Sequence, residues 1–171
     1  MPPVTSSVRA RTGARQGASR LRSDPASPAF RIADYPFYLL NRIAGRYAID
    51  MSDALKAIGM DLPTWRALMI LHERSPRSVS EIAVQAVIRL STMTRVVRRL
   101  ERAGLVRLAT RTTDARVTEV VITPQGLAAV RRVREVAGRV YQRAFADFSS
   151  RDIELLNALL VRVMRNLSLA P

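Results

Sequence analysis

The residues predict a mainly α-helical fold with one small β-hairpin, and three observations carry this reading. From Tyr35 onward apolar residues return every three or four positions, the period of one helical face. Over 105–122 the period changes, and apolar or β-branched residues flank a polar stretch. Gly59, Ser75-Pro76, Gly104 and Thr123-Pro124 then cut the pattern into helices of ordinary length.

Composition sets the outer limits. The chain has 171 residues, 28 basic against 14 acidic, for a formal net charge of +14. Hydrophobic residues make up 48% of it, enough for a core. No uncharged apolar run approaches the ~18 residues of a membrane-spanning helix. Cysteine is absent, which excludes disulfides, thiolate metal sites and thiol redox sensing within this chain. His72 is the single histidine, a poor basis for a metal site or a Ser-His-Asp triad. The carboxylates are scattered, with no Gly-rich phosphate loop, metal-ligand spacing or nucleophile motif. Neither an enzyme nor a cofactor is expected.

All basic residues except Lys56 are arginine. A guanidinium suits phosphate because it forks two donors at once; a GC-rich genome also writes arginine for lysine. The scarcity of acids has no such second source, and points to nucleic acid or an anionic membrane surface as partner.

Residues 1–30 hold Pro2, Pro3, Pro25 and Pro28, five arginines and one acid, Asp24. They lack hydrophobic periodicity and read as a disordered basic tail, either passive or touching DNA backbone. The apolar middle of a secretory signal is missing, and so is the amphipathic spacing of a transit peptide.

A first long helix carries Leu39, Leu40, Ile43, Tyr47, Met51, Ala54, Leu55 and Ile58 on one face, with Gly59 as its left-handed cap. Pro63 suits the first turn of a second helix, which carries Trp65, Leu68, Met69 and His72 to about Arg74. Ser78-x-x-Glu81 is a capping box opening a short helix with Ile82, Ala83, Ala86 and Val87 turned inward. A break near Ile88–Leu90 precedes a helix from Ser91 or Thr92 to Ala103, with Met93, Val96, Val97 and Leu100 inside and Gly104 ending it. Leu105-Val106 and Val120–Ile122 read as the strands of a hairpin with a long basic tip. Thr123-Pro124 caps a long helix carrying Leu127, Val130, Val133, Ala137, Val140, Ala144 and Phe148. Ser149 or Ser150 caps a last one with Ile153, Leu156, Leu159, Leu160, Val163, Met164 and Leu167.

Two short helices, a tight connection and a hairpin describe a winged helix-turn-helix. A helix fits the major groove, where outward side chains reach base edges. On 91–103 the outward positions are Ser91, Thr92, Thr94, Arg95, Arg98, Arg99 and Arg102, with hydroxyls toward the amino end and arginines beyond. From Arg89 to Arg116 the local charge is +6.

The stretches Ser80-Glu81-Ile82-Ala83, Ser91-Thr92-Met93-Thr94-Arg95-Val96-Val97, Arg99-Leu100-Glu101, Gly104-Leu105-Val106 and Asp114-x-Arg116 with Ile122-Thr123 resemble the MarR (multiple antibiotic resistance regulator) family. The resemblance covers about 34–167. It departs at Val87, where such proteins often have glycine, and at Ile122, which replaces the usual leucine.

The resemblance implies a cytoplasmic homodimeric transcription regulator, a repressor on a pseudo-palindromic double-stranded DNA operator. It implies dimerisation through 31–62 and 124–171, with 63–123 as the DNA-binding domain. The apolar last helix supports pairing independently, because Leu155, Leu156, Leu159, Leu160, Val161 and Val163 are nearly continuous. By resemblance, Arg116 lines the minor groove, Asp114 orients it, and Arg107 and Arg111 are further wing cations.

The resemblance also implies a small aromatic carboxylate or phenolic effector, with Tyr38, Arg42, Arg46, Trp65 and His72 as candidate lining. Arg42 and Arg46, one turn apart, suit a carboxylate clamp. The alternative is a constitutive architectural DNA-binding protein with no effector.

Overall fold

The computed structural model describes residue 17, residues 19–111 and residues 114–168. Residues 1–16, most of the expected tail, lie outside that description, as do residues 112–113 at the wing tip and the side chains of Asp114 and Ala115. The element order is a 3-10 turn at Ile32–Asp34, then α1 (Pro36–Lys56), α2 (Leu62–Glu73), β1 (Arg77–Ser78), α3 (Val79–Ala86), α4 (Leu90–Arg102), β2 (Val106–Arg111), β3 (Asp114–Ile122), α5 (Pro124–Ala144) and α6 (Ser150–Ser168). Among the described residues no helix is long and apolar enough to cross a membrane. The chain divides into two compact units, meeting in sequence at Ser52–Asp53 within α1.

In the first unit, residues 19–23 are helical, although the sequence predicts disorder to residue 30. The segment is tied back on itself. Arg31 N donates to Arg22 O at 2.8 Å, and Arg22 Nε donates to Asp34 Oδ2 at 2.9 Å. Phe30, Tyr35 and Phe37 stack edge to face, with centroids 5.8 and 5.7 Å apart. Helical periodicity does not register such a knot, because its ties are a backbone hydrogen bond, an ion pair and aromatic edges rather than a repeating apolar face. On α1 the apolar positions Leu39, Ile43 and Tyr47 are exposed.

In the second unit, the core joins Ala67, Leu68 and Leu71 of α2, Ile82, Ala83 and Ala86 of α3, and Met93, Val96, Val97 and Leu100 of α4 to Val106, Val120 and α5's Ala129 and Val130. All four inward positions predicted for α4 are buried. Asp61 caps α2, its Oδ1 accepting from Thr64 N at 2.9 Å. The Ser78–Glu81 box opens α3 with both reciprocal bonds in place: Glu81 N donates to Ser78 Oγ, and Ser78 N donates to Glu81 Oε2 at 2.6 Å.

Val87 is a correction to the sequence expectation. It points outward, 87% exposed, because it ends α3 in the left-handed conformation at φ 54°, ψ 48°. Val87 N donates to Val84 O, and Ile88 N to Ala83 O, the two bonds of a Schellman cap. The turn keeps the geometry that glycine favours, and a β-branched residue bears the strain.

The sheet has three antiparallel strands in the order β1-β3-β2 rather than the two of a simple hairpin. Two-residue β1 pairs Arg77 with Val120 and Ser78 with Glu119. The β2–β3 register runs from Val106↔Ile122 to Thr110↔Thr118 and shifts between Thr110 and Arg111. Gly126 lets α5 start hard against the α4–β2 turn: a Cβ there would lie 2.1 Å from Leu105 O. The buried stripe of α5 runs through Ala129, Val130, Val133, Val136 and Val140, while Leu127 at its edge stays exposed. On α6 no residue is buried.

Candidate nucleic-acid interface

The outward face of α4 is built by burying the other one. With Met93, Val96, Val97 and Leu100 in the core, helical geometry turns Ser91, Thr94, Arg95, Arg98, Arg99 and Arg102 outward, and leaves Thr92 half-buried. Thr94 Oγ1 donates to Leu90 O at 2.8 Å, which spends its proton and leaves its lone pairs for a base amino group. Arg98 Nη1 donates to Glu101 Oε2 at 3.2 Å, an exposed pair of little strength. Arg95 is exposed and makes no ion pair among the described residues.

Arg99 differs from its neighbours. Its Nη2 donates to Asp61 Oδ2 at 2.6 Å and to Thr64 Oγ1 at 2.8 Å. It therefore ties the carboxyl-terminal half of α4 to the first turn of α2. Partial burial pushes the Asp61 carboxyl up, but hydrogen bonds from Thr64 and Arg99 outweigh it and hold the group below its ordinary value. A helical wheel shows Arg99 as one more outward cation; the fold brings it to residues 35 and 38 positions away.

On the wing, Arg107 and Arg116 are exposed. The Asp114 side chain lies outside the description, so the expected Asp114–Arg116 orientation does too. Arg111 sits among acids. Its Nε donates to Glu119 Oε1 at 2.7 Å, and its Nη2 lies 3.5 Å from Glu81 Oε2. Hydrogen bonds from the Ser78 backbone and then its hydroxyl hold Glu81 below the usual glutamate range, with Arg111 adding to the effect.

Three further supports were not legible in the sequence. Arg66 Nη1 donates to Ala86 O at 3.1 Å and satisfies a carbonyl at the end of α3. Ile122 N donates to Ser75 Oγ at 3.0 Å. Thr123 Oγ1, besides accepting the capping bond from Gly126 N that the sequence predicts, donates to Gly104 O at 2.7 Å, and so staples α4, β3 and α5 at one corner.

Of the five effector candidates, the fold joins Tyr38 and Arg42. The Arg42 guanidinium lies 5.6 Å from the Tyr38 ring centre, and its Nη1 donates to Tyr38 Oη at 3.1 Å. Arg46 Nη2 pairs with Asp50 Oδ1 at 2.9 Å. Trp65 is half-buried on α2, and His72, in the same helix, is exposed. None of the five lines the cleft of about 320 Å³ beside the Arg99–Asp61 bridge, whose walls include Met60, Leu100 and Leu105.

A family model described as MarR family matches residues 60–118. The helix-turn-helix-type transcriptional repressor IacR of Pseudomonas putida is 44% identical over 154 residues, 90% of this chain and 91% of that one. A MarR-family transcriptional regulator from Silicibacter pomeroyi superposes with a TM-score of 0.75 at 27% identity, over 82% of this chain and 94% of that one. The Mycobacterium tuberculosis MarR-family protein Rv2887, solved in complex with p-aminosalicylic acid, gives 0.62 at 25% identity, over 75% and 97% of the respective chains.

Proposed function

The chain belongs to the MarR family and is a transcriptional repressor of that family; on that premise we propose that it binds a pseudo-palindromic operator as a homodimer and leaves it when a small aromatic acid or phenol binds. The exposed face of α4 carries this reading. Ser91, Thr94 and, half-buried beside them, Thr92 offer hydroxyls toward its amino end, and Arg95 and Arg98 stand ready for bases and phosphates beyond. Arg116, on β3, reaches the minor groove beside it. Arg99 and Arg111 serve the interface from behind, through the bridges described above.

Residues 63–123 then form the DNA-reading domain, and 31–62 with 124–171 pair the subunits. Support for pairing comes from α6, where Leu155, Leu159, Val161, Met164 and Leu167 are all exposed in one chain. Apolar side chains in such a run call for cover, and a second copy offers the same surface in return. Two-fold symmetry sets the two α4 helices in successive major grooves, ~34 Å apart.

The complex of Rv2887 with p-aminosalicylic acid supports an effector of that chemical class. Tyr38, Arg42, Arg46, Trp65 and His72 are the residues proposed to receive it, with a ring contact and a cation for the carboxylate. Binding acts by shifting the spacing of the two reading helices.

The test is a gel-shift titration on the duplex that the purified protein selects from a random pool. Arg116→Ala should weaken binding about tenfold or more, on the order of 1–3 kcal/mol; unchanged affinity removes Arg116 from the interface. A thermal-shift screen of aromatic acids, followed by release assays on the same duplex, tests the effector. If no acid both stabilises the protein and frees the DNA, the protein is a constitutive binder.

A further inference from the structure

We propose that Arg111 is a positioning residue for DNA recognition: one guanidinium bridges Glu119 on the adjacent strand and Glu81 on α3, and so fixes the wing's angle to the helix-turn-helix. The inference rests on the DNA-binding reading above.

The register explains the bridge. Arg111 shares a strand face with Ala109, whose partner across the ribbon is Glu119. Arg111 lies just past the register shift, where its own partner is Asp114, and its long side chain reaches back along the ribbon to Glu119. On its other side Glu119 pairs with Ser78, the cap of α3. Ser78 in turn gives its backbone and hydroxyl protons to Glu81 Oε2, at 2.6 and 2.7 Å. Wing, central strand and helix start therefore close on one cation. The fork of an arginine can serve two carboxylates at once, whereas a lysine ammonium acts as a point charge.

The wing needs such a tie. Among the described residues Val106 and Val120 are the buried side chains of β2 and β3, and none of the ribbon from Ala109 to Glu119 is buried. Apolar packing fixes the base of the ribbon and leaves the angle of its outer half to polar contacts. The Arg111 side chain is 31% exposed and Glu119 19%, so the Glu119 half of the bridge is less screened than the surface pair on α4, while the Glu81 half is longer and its carboxylate is 51% exposed.

The sign of one substitution separates positioning from direct contact. Glu119→Gln removes a negative charge from a protein that meets phosphate, so long-range electrostatics alone favours tighter binding. Loss of the bridge favours weaker binding. On the duplex selected by the wild type, Glu119→Gln and Arg111→Gln should each weaken binding about threefold to tenfold. Each should also shrink the further effect of Arg116→Ala, because the arginine is then no longer held in place. Arg111→Lys should behave like Arg111→Gln. The salt dependence should keep its slope, since no phosphate contact is lost.

A second readout needs no DNA. The chain has no cysteine, so Thr110→Cys takes a single spin label, and Glu119→Gln should make that label more mobile. Three results overturn the proposal: Glu119→Gln binding as tightly as wild type or tighter, Arg111→Gln lowering the salt slope while adding independently to Arg116→Ala, or unchanged label mobility. Wild-type protein that selects no duplex at all sinks the DNA reading itself, a distinct failure.

Discussion

Replacing Val87 with glycine should stabilise the fold. Val87 holds φ 54° and ψ 48°, where an L side chain's Cβ crowds the following carbonyl. That conformation costs an L residue about 1–2 kcal/mol. The side chain is 87% exposed, so deleting it forfeits little burial. Against the gain stands the greater freedom of glycine in the unfolded chain, about 0.4–1 kcal/mol. The net stabilisation is about 0.5–1 kcal/mol, a rise of about 1–4 °C in Tm for a chain of this size. The assay is thermal and urea unfolding at one fixed protein concentration, because association shifts apparent stability by mass action. Val87→Ala is the control: it trims the same exposed methyls but keeps a Cβ, and so keeps the left-handed penalty. If glycine leaves Tm unchanged or lowers it, or if alanine stabilises equally, the strain argument is wrong.

Gly126→Ala should destabilise by about 1–3 kcal/mol in urea, because its Cβ would fall 2.1 Å from Leu105 O and the start of α5 must move. Glu81 is held below the ordinary glutamate pKa of ~4.3. Its stabilisation is complete above that value and is lost as pH falls through the folded one, so Glu81→Gln should flatten the acid limb of a stability-against-pH curve. Arg95→Gln should lower the salt slope of DNA binding by about one, the mark of a lost phosphate contact. Arg99→Gln should leave that slope in place and instead lower stability by less than about 1 kcal/mol, since its bond to Asp61 is half exposed. Equal slopes for Arg95→Gln and wild type would remove Arg95 from the phosphate-contacting set.

Much of this protein could be read before any coordinates. Local rules determined the helices, several of their caps and the inward side of α4. A capping box, a glycine at a helix end and a three-to-four-residue apolar period each act within one or two turns of chain. Ser78–Glu81, Gly104 and the Met93–Leu100 face therefore stand as the residues predict. The surplus of arginine around α4 was visible too, because charge needs no partner to be counted.

The tertiary structure decided which of those arginines are engaged inside the protein. Arg99 meets Asp61, 38 positions away, and Arg111 meets Glu81, 30 positions away; no periodicity encodes such pairs. Short β1 escaped for the same reason, since two residues carry no alternation and exist as a strand only because β3 lies beside them. Val87 inverted its predicted direction because the backbone turn, fixed by two hydrogen bonds to α3, outweighed the valine's preference for burial. A chain's local chemistry chooses its elements, whereas the company each side chain keeps depends on closures spanning tens of residues.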